Sequence, residues 1–176
     1  MARQVNQAGL DLVKSFEGFS DRAYLCPAGV WTIGYGHTKD VKRGMRVTRD
    51  EAEQLLADDL EGAAADVEKL IKVKLGDNQF AALVSFTFNV GSGNLAGSTL
   101  RKLLNVGDYD AVPAQMMRWN KATQGGKLVE MAGLTRRRVA EGALWLQDAA
   151  PLPKRSMPQM VGMSVDDFTD HLNQGA

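Results

Sequence analysis

Between Asp77 and Val90 the chain carries Phe80, Ala81, Ala82, Leu83, Val84, Phe86, Phe88 and Val90, apolar nearly all round a helix. A segment of that kind has no polar face to offer water, so the rest of the chain must wrap it. A buried central helix or a buried pair of strands would satisfy that demand, and the length and the Asp77-Asn78 start favour the helix. With 176 residues, 44% of them hydrophobic and 24% charged, the chain can build one compact domain, or two small lobes sharing a core. Global disorder is excluded on the same composition.

Other helices follow from periodicity. Thr48-x-x-Glu51 is a capping box that opens a long helix, and Ala52, Leu55, Leu56, Leu60, Ala63, Val67 and Leu70 keep its period. At 1.5 Å per residue the Thr48–Leu70 helix is about 33 Å long, enough to bridge two lobes. A first helix runs from the N-cap Asn6 to Glu17. From Ala23 to Tyr35 the texture is β: Tyr24, Val30, Trp31, Thr32, Ile33 and Tyr35 are strand formers around a Pro27-Ala28-Gly29 turn, giving a hairpin or a three-stranded sheet. Gly91, Gly93 and Gly97 break the central segment. Short helices are expected from Ser98 to Leu104 and from Asp108 to about Arg118. Gln124-Gly125-Gly126-Lys127 reads as a mobile loop, and Gly133 to Leu146 as a final amphipathic helix ending near Asp148. After Ala150, Pro151, Pro153 and Pro158 mark a linker, and Ser164 opens a short helix with Val165, Phe168 and Leu172 on one side. The fold class is therefore α+β, predominantly α.

Charge and cysteine usage narrow the chemistry. Twenty-one basic side chains balance twenty-one acidic ones, yet residues 101–155 hold ten Lys/Arg against five acids. That basic half suits an anionic polymer, nucleic acid or cell wall. Its densest point, Arg136-Arg137-Arg138, reads as a solvated helix face, because no nucleic-acid motif or interleaved aromatics accompany it. One cysteine, Cys26, permits no intramolecular disulfide, and with His37 and His171 it cannot build a zinc cage or an iron–sulfur cluster. No metal or organic cofactor is implied. The N-terminus lacks the apolar stretch of a signal peptide and no run is long enough to span a bilayer, so the expectation is a soluble protein made in a cytoplasm.

The strongest chemical constellation is Glu17 at a helix end, Cys26 before the hairpin turn and Thr32 on the returning strand. Leu10, Val13 and Glu17 stand at i, i+3 and i+7, which puts the carboxylate on an apolar face. Desolvation there is expected to raise its pKa above the free value of about 4.3. A Glu that keeps its proton near neutrality can protonate a leaving glycosidic oxygen; spacing alone is equally met by a Glu capping a helix C-terminus.

The motifs Phe16-Glu17-Gly18-Phe19, Trp31-Thr32-Ile33-Gly34-Tyr35-Gly36-His37-Thr38, Phe88-Asn89-Val90-Gly91, Ala96-Gly97-Ser98-Thr99-Leu100 and Gly133-Leu134-Thr135-Arg136-Arg137-Arg138-Val139-Ala140-Glu141 occur in collinear order. With eight residues between Glu17 and Cys26 and five between Cys26 and Thr32, the pattern resembles the phage-type lysozymes of glycoside hydrolase family 24, over about residues 5–148. The resemblance implies a lysozyme-like two-lobed fold, with a catalytic domain over residues 1–150, a small hairpin lobe at about 18–47, a helical lobe at about 71–150 and an appended tail at 151–176. It implies a muramidase cleaving the β-1,4 bond between N-acetylmuramic acid and N-acetylglucosamine in peptidoglycan. Glu17 matches the family's general acid, Cys26 the group that orients or activates water, and Thr32 the hydroxyl that holds that water. Thr38, Phe88 and Thr99 match positions lining the saccharide cleft, although Phe88 also suits a core and the threonines suit turns or caps. The family is regarded as inverting, which fits carboxyl groups spaced about 6.5–9.5 Å apart. The resemblance further implies a monomer that accumulates in the cytoplasm of a bacterial host, takes no nucleic acid, does not insert in the membrane, and reaches the wall only after a separate protein permeabilises the membrane.

His37 reads as pairing with an acid to pin the hairpin, and Trp119 as packed, or as a sugar platform. Rival readings are a cysteine peptidase or amidase using Cys26 and His37, a non-catalytic wall-binding module, and a transglycosylase using the same Glu.

Overall fold

A computed structural model describes residues 3–26 and 29–148. In chain order the elements are α1 (Gln7–Glu17), β1 (Ser20–Leu25), β2 (Trp31–Gly34), α2 (Arg49–Leu70), α3 (Asp77–Val90), α4 (Ser92–Gly97), α5 (Thr99–Asn105), α6 (Val112–Met117), β3 (Lys121–Gln124), β4 (Lys127–Glu130) and α7 (Ala132–Trp145). The expected tail from residue 151 and its short helix lie outside the described residues, as do Pro27 and Ala28 of the first hairpin turn.

The central segment is a helix. Gln79 through Thr87 of α3 are all buried, with α1, α2 and α7 packed around it. Its first turn is capped from across the chain: Asp148 Oδ2 accepts the amides of Asn78 and Gln79 at 2.7 and 3.0 Å. A carboxylate there also offsets the positive end of the helix. Gly76, the residue before the helix, packs so tightly on that carboxylate that a Cβ would collide with it.

On the side of α1 a second glycine permits a close contact. A Cβ at Gly9 would stand 2.7 Å from that of Ala81 and would collide with Val5 Cγ1. Gly9→Ala is therefore expected to destabilise the fold by about 1–3 kcal/mol, despite the better helix propensity of alanine, because the two helices must separate. Chemical denaturation checks this; a gain in stability would show that the approach is loose.

The helix α2 begins as the sequence predicts. Thr48 Oγ1 accepts from the Glu51 amide at 3.2 Å, and Glu51 Oε2 accepts from the Thr48 amide at 2.7 Å. That second bond holds the Glu51 carboxyl below its ordinary range. Near its start α2 meets β2, where the Cβ of Ala52 lies against Gly34, and at its far end Asn105 accepts from the Lys72 amide and donates to the Leu70 carbonyl. Leu56, Leu60, Ala64 and Val67 line the core between.

Strands β1 and β2 form an antiparallel hairpin with Tyr24 opposite Thr32 and Leu25 opposite Trp31. The stretch at Met45–Val47 adds to its outer edge, the Ala23 amide donating to Met45 O and the Val47 amide to Asp21 O.

Four expectations need correcting. Residues 124–127 are no loose loop but the two-residue turn of a second hairpin, β3–β4, in which Gly125 and Gly126 take φ of 55° and 77°. Both positive angles belong to the turn type that matches the twist of paired strands. Gly91 ends α3 as expected, at φ 90°, but Gly93 does not keep the chain from helix: a short further helix, α4, forms across it and ends at Gly97. The helix expected from Asp108 starts only at Val112: Asp108 Oδ1 does accept from the Ala111 amide at 3.1 Å, as an N-cap would, but the chain from Asp110 to Ala111 forms a turn. Arg136-Arg137-Arg138 is not a solvated face: Arg136 is exposed, but Arg137 and Arg138 are buried.

Candidate active site

Glu17 is the last residue of α1, and Gly18 follows at φ 67°, turning the chain directly into β1. Helix end and hairpin thus meet at the acid. Its Oε1 accepts from Arg137 Nη1 at 2.6 Å, and its Oε2 faces Gly36, where a Cβ would stand 3.9 Å away. The side chain is a quarter exposed. The apolar face of α1 is therefore not all that surrounds this carboxylate; a guanidinium holds one oxygen and bare backbone lies beside the other.

Arg137 is itself held. Its Nε donates to Glu141 Oε1 at 3.3 Å, and its guanidinium lies 5.7 Å from the Phe16 ring centroid. Glu141 Oε1 also accepts from Ser85 Oγ at 2.8 Å and from Arg138 Nη2 at 3.4 Å. Arg138 Nε lies 3.1 Å from Glu141 Oε2, a close charge contact without hydrogen-bond alignment, while Nη2 donates to Asn89 Oδ1 at 2.6 Å. Burial pushes the Glu141 carboxyl above its ordinary range, with Arg138, Ser85 and Arg137 pulling the other way. Burial likewise opposes the charge on Arg138. A packed network in α3 and α7 thereby fixes the cation that fixes Glu17.

The hairpin supplies Cys26 and Thr32. Both meet at one carbonyl: the Cys26 amide donates to Val30 O at 3.0 Å, and Thr32 Oγ1 donates to the same oxygen at 3.1 Å. Thr32 is buried and Cys26 half-buried. Because the Thr32 proton is used on Val30, its oxygen faces other groups as an acceptor. His37 pairs with Asp59 of α2, its Nδ1 lying 2.9 Å from both carboxylate oxygens, which ties the hairpin's exit to the long helix.

The remaining candidates are dispersed. Thr38 is exposed, and its carbonyl takes the Val41 amide at 3.5 Å in a turn. Phe88 is half-buried near the end of α3, packed against the core. Thr99, exposed at the start of α5, shares a pocket of about 450 Å³ with Trp119, Arg118, Lys121 and Leu128. Trp119 both lines that pocket and packs edge-on against Phe86, with ring centroids 6.0 Å apart. Among the described residues, no group of three or more His, Cys, Asp or Glu is placed to hold a metal ion, and no helix is long and apolar enough to cross a membrane.

Sequence reasoning missed Arg137, Glu141 and Ser85. The i, i+4 spacing of Arg137 and Glu141 was a signal for a pair on one helix face, but nothing local connects either with Glu17.

An acid at the junction of a helix and a small hairpin, backed by a mainly helical body, is the architecture of lysozyme-like proteins. Residues 14–141 match the phage lysozyme family, and the chain belongs to that family. It is 43% identical over 141 residues to an endolysin of Acyrthosiphon pisum secondary endosymbiont phage 1, covering 80% of this chain and 97% of that one. It is 42% identical over 145 residues to the endolysin of Bacillus phage B103, where the match covers 81% of this chain and spans about half of that longer protein, 54%. The muramidase domain of SpmX from Asticaccaulis excentricus superposes with a TM-score of 0.78 at 39% identity, covering 82% of this chain and 98% of that domain. The lysozyme-like, predominantly helical fold expected from the motifs is the fold found.

Proposed function

We propose that this lysozyme hydrolyses the β-1,4 bond between N-acetylmuramic acid and N-acetylglucosamine in bacterial peptidoglycan, with Glu17 as general acid. The observation that carries the reading is the two-sided setting of the Glu17 carboxyl. Arg137 anchors Oε1, so Oε2, beside Gly36, is the oxygen free to hand its proton to the bridging sugar oxygen. Gly36, at φ 97°, leaves room for the sugar chain that a side chain there would narrow.

Water attack then falls to the hairpin. Thr32, its own proton on Val30 O, accepts a hydrogen bond from the water and orients it. Cys26 positions or activates the same water. Cys26→Asp is expected to keep lytic activity and Cys26→Ala to lose most of it, measured as clearance of a cell-wall suspension. An alanine variant working at the parental rate removes Cys26 from the mechanism.

Thr38, Phe88 and Thr99 are the proposed saccharide contacts, within a catalytic domain of residues 1–150. The protein acts as a monomer on the wall of its bacterial host, reached from the cytoplasm after another protein breaches the membrane. Mass analysis of products from purified wall tests the reaction. Muropeptides ending in reducing N-acetylmuramic acid support hydrolysis. Products lighter by one water mark a transglycosylase, and new free amines mark a peptidase using Cys26 and His37.

A further inference from the structure

The outer face of the first hairpin gathers charge in a way that catalysis leaves unused. Residues 18–47 hold five Lys/Arg, namely Arg22, Lys39, Lys42, Arg43 and Arg46, against Asp21 and Asp40. Arg22, Arg43 and Arg46 line one pocket of about 320 Å³ with Ala23, Trp31, Gly44 and Met45, and no acid lines it. Arg22 and Arg46 stand directly opposite each other in an antiparallel bridge. Like charges facing across paired strands repel. The nearest compensation is Asp21, 3.9 Å from Arg22 Nε, and among the described residues Arg43 and Arg46 make no ion pair.

Apolar side chains accompany the arginines. Met45 is 41% exposed and lines the pocket. Leu25, 56% exposed, is the register partner of Trp31, so the two side chains share a face of the hairpin. An exposed leucine and methionine and a half-buried tryptophan beside guanidinium groups match the boundary between phosphate headgroups and acyl chains. A fully hydrated polyanion would satisfy the arginines but leave those apolar groups in water.

We propose that this face of the hairpin docks on an anionic phospholipid surface, with a headgroup phosphate among Arg22, Arg43 and Arg46 and with Leu25, Trp31 and Met45 at the interfacial layer. Guanidinium groups bind phosphate through paired, planar hydrogen bonds. The three arginines include none of Glu17, Cys26 and Thr32, although Leu25 and Trp31 adjoin Cys26 and Thr32 in the hairpin, so failure of the docking would leave the reaction proposed above untouched.

The test is co-sedimentation of the full chain with vesicles of phosphatidylcholine alone, or mixed with phosphatidylglycerol, at low salt. Wild type is expected to bind the mixed vesicles preferentially. Arg43→Gln with Arg46→Gln should lower partitioning roughly thirtyfold, from about tenfold per 1.4 kcal/mol and about 1 kcal/mol for each cation near an anionic surface, while release of muropeptides from purified wall stays unchanged. Equal binding of wild type to both vesicles overturns the proposal, and so does a double variant that binds like wild type. Two wild-type measurements keep the test sharp should the variant fold poorly. Bound protein should be released as salt is raised, and retention at high salt counts against the arginines. Release by millimolar inorganic phosphate at constant ionic strength would instead mark a site for the small anion, and a variant that loses affinity for purified wall but not for vesicles would assign the face to a wall polymer; either result overturns docking on lipid.

Discussion

Glu17→Gln is expected to slow wall clearance by roughly 10²–10⁴-fold, the usual contribution of a positioned general acid. The amide has the same shape, and its oxygen can still accept from Arg137 Nη1, which now donates to the carboxylate at 2.6 Å. What it lacks is a proton acidic enough for a departing sugar oxygen. The loss should therefore fall on kcat, with KM nearly unchanged, because the ground-state contacts of the side chain survive. Stability should stay close to parental, since the side chain is a quarter exposed and not part of the packed core. Turbidity of a wall suspension read beside thermal unfolding separates the two effects. Equal clearance by both proteins would show that no general acid operates at this position.

How far the sequence revealed this site depends on the distance over which each signal acts. The α1 register that placed Glu17 at its helix end, the Thr48 capping box and the β1–β2 hairpin are all written within a few residues, and all three form as read. The long apolar run of α3 was equally plain, since a segment with no polar face has one place to go. The pairing of His37 with an acid was foreseeable in kind, although only the fold identifies Asp59, 22 residues later.

The failures have physical causes too. Strands β3 and β4 are almost wholly exposed, so they carry no alternation of apolar and polar side chains. Their evidence was the Gly125-Gly126 turn itself, a two-residue link whose positive φ angles favour glycine. Three glycines masked α4 because propensity argues against a helix that tertiary contact through Leu95 stabilises. The arginine run misled for a geometric reason. Consecutive helical residues point about 100° apart, so a run of three charges spans both faces, and Arg137, Arg138, Glu141, Leu144 and Trp145 together form the buried stripe of α7. The partner that orients Glu17 lies 120 residues away on that stripe, beyond the reach of any local pattern.

That buried stripe sets the largest expected effect on stability. Glu141 is fully buried and is the acid shared by Arg137 and Arg138, both buried as well. Glu141→Ala would leave Arg138 as a cation without an acid, while Arg137 would keep Glu17. Breaking a buried pair from one side costs about 3–5 kcal/mol, because the remaining charge is stranded in a dry environment. For a domain of this size that corresponds to a fall in Tm on the order of 10 °C. Ser85 would also lose the acceptor for its hydroxyl, now bonded at 2.8 Å. Removing both charges has a different outcome: Arg138→Met with Glu141→Leu takes out the stranded cation along with its partner and is expected to recover much of the loss. Thermal unfolding of wild type, Arg138→Met, Glu141→Leu and the double variant forms a cycle that measures the coupling directly. Strict additivity would mean that the pair contributes no specific interaction. Arg137 keeps Glu17 but loses Glu141 in the double variant, so that protein should clear walls more slowly than wild type when both are assayed below their unfolding range. Activity equal to wild type would show that Glu141 acts on stability alone and takes no part in holding Arg137 against the acid.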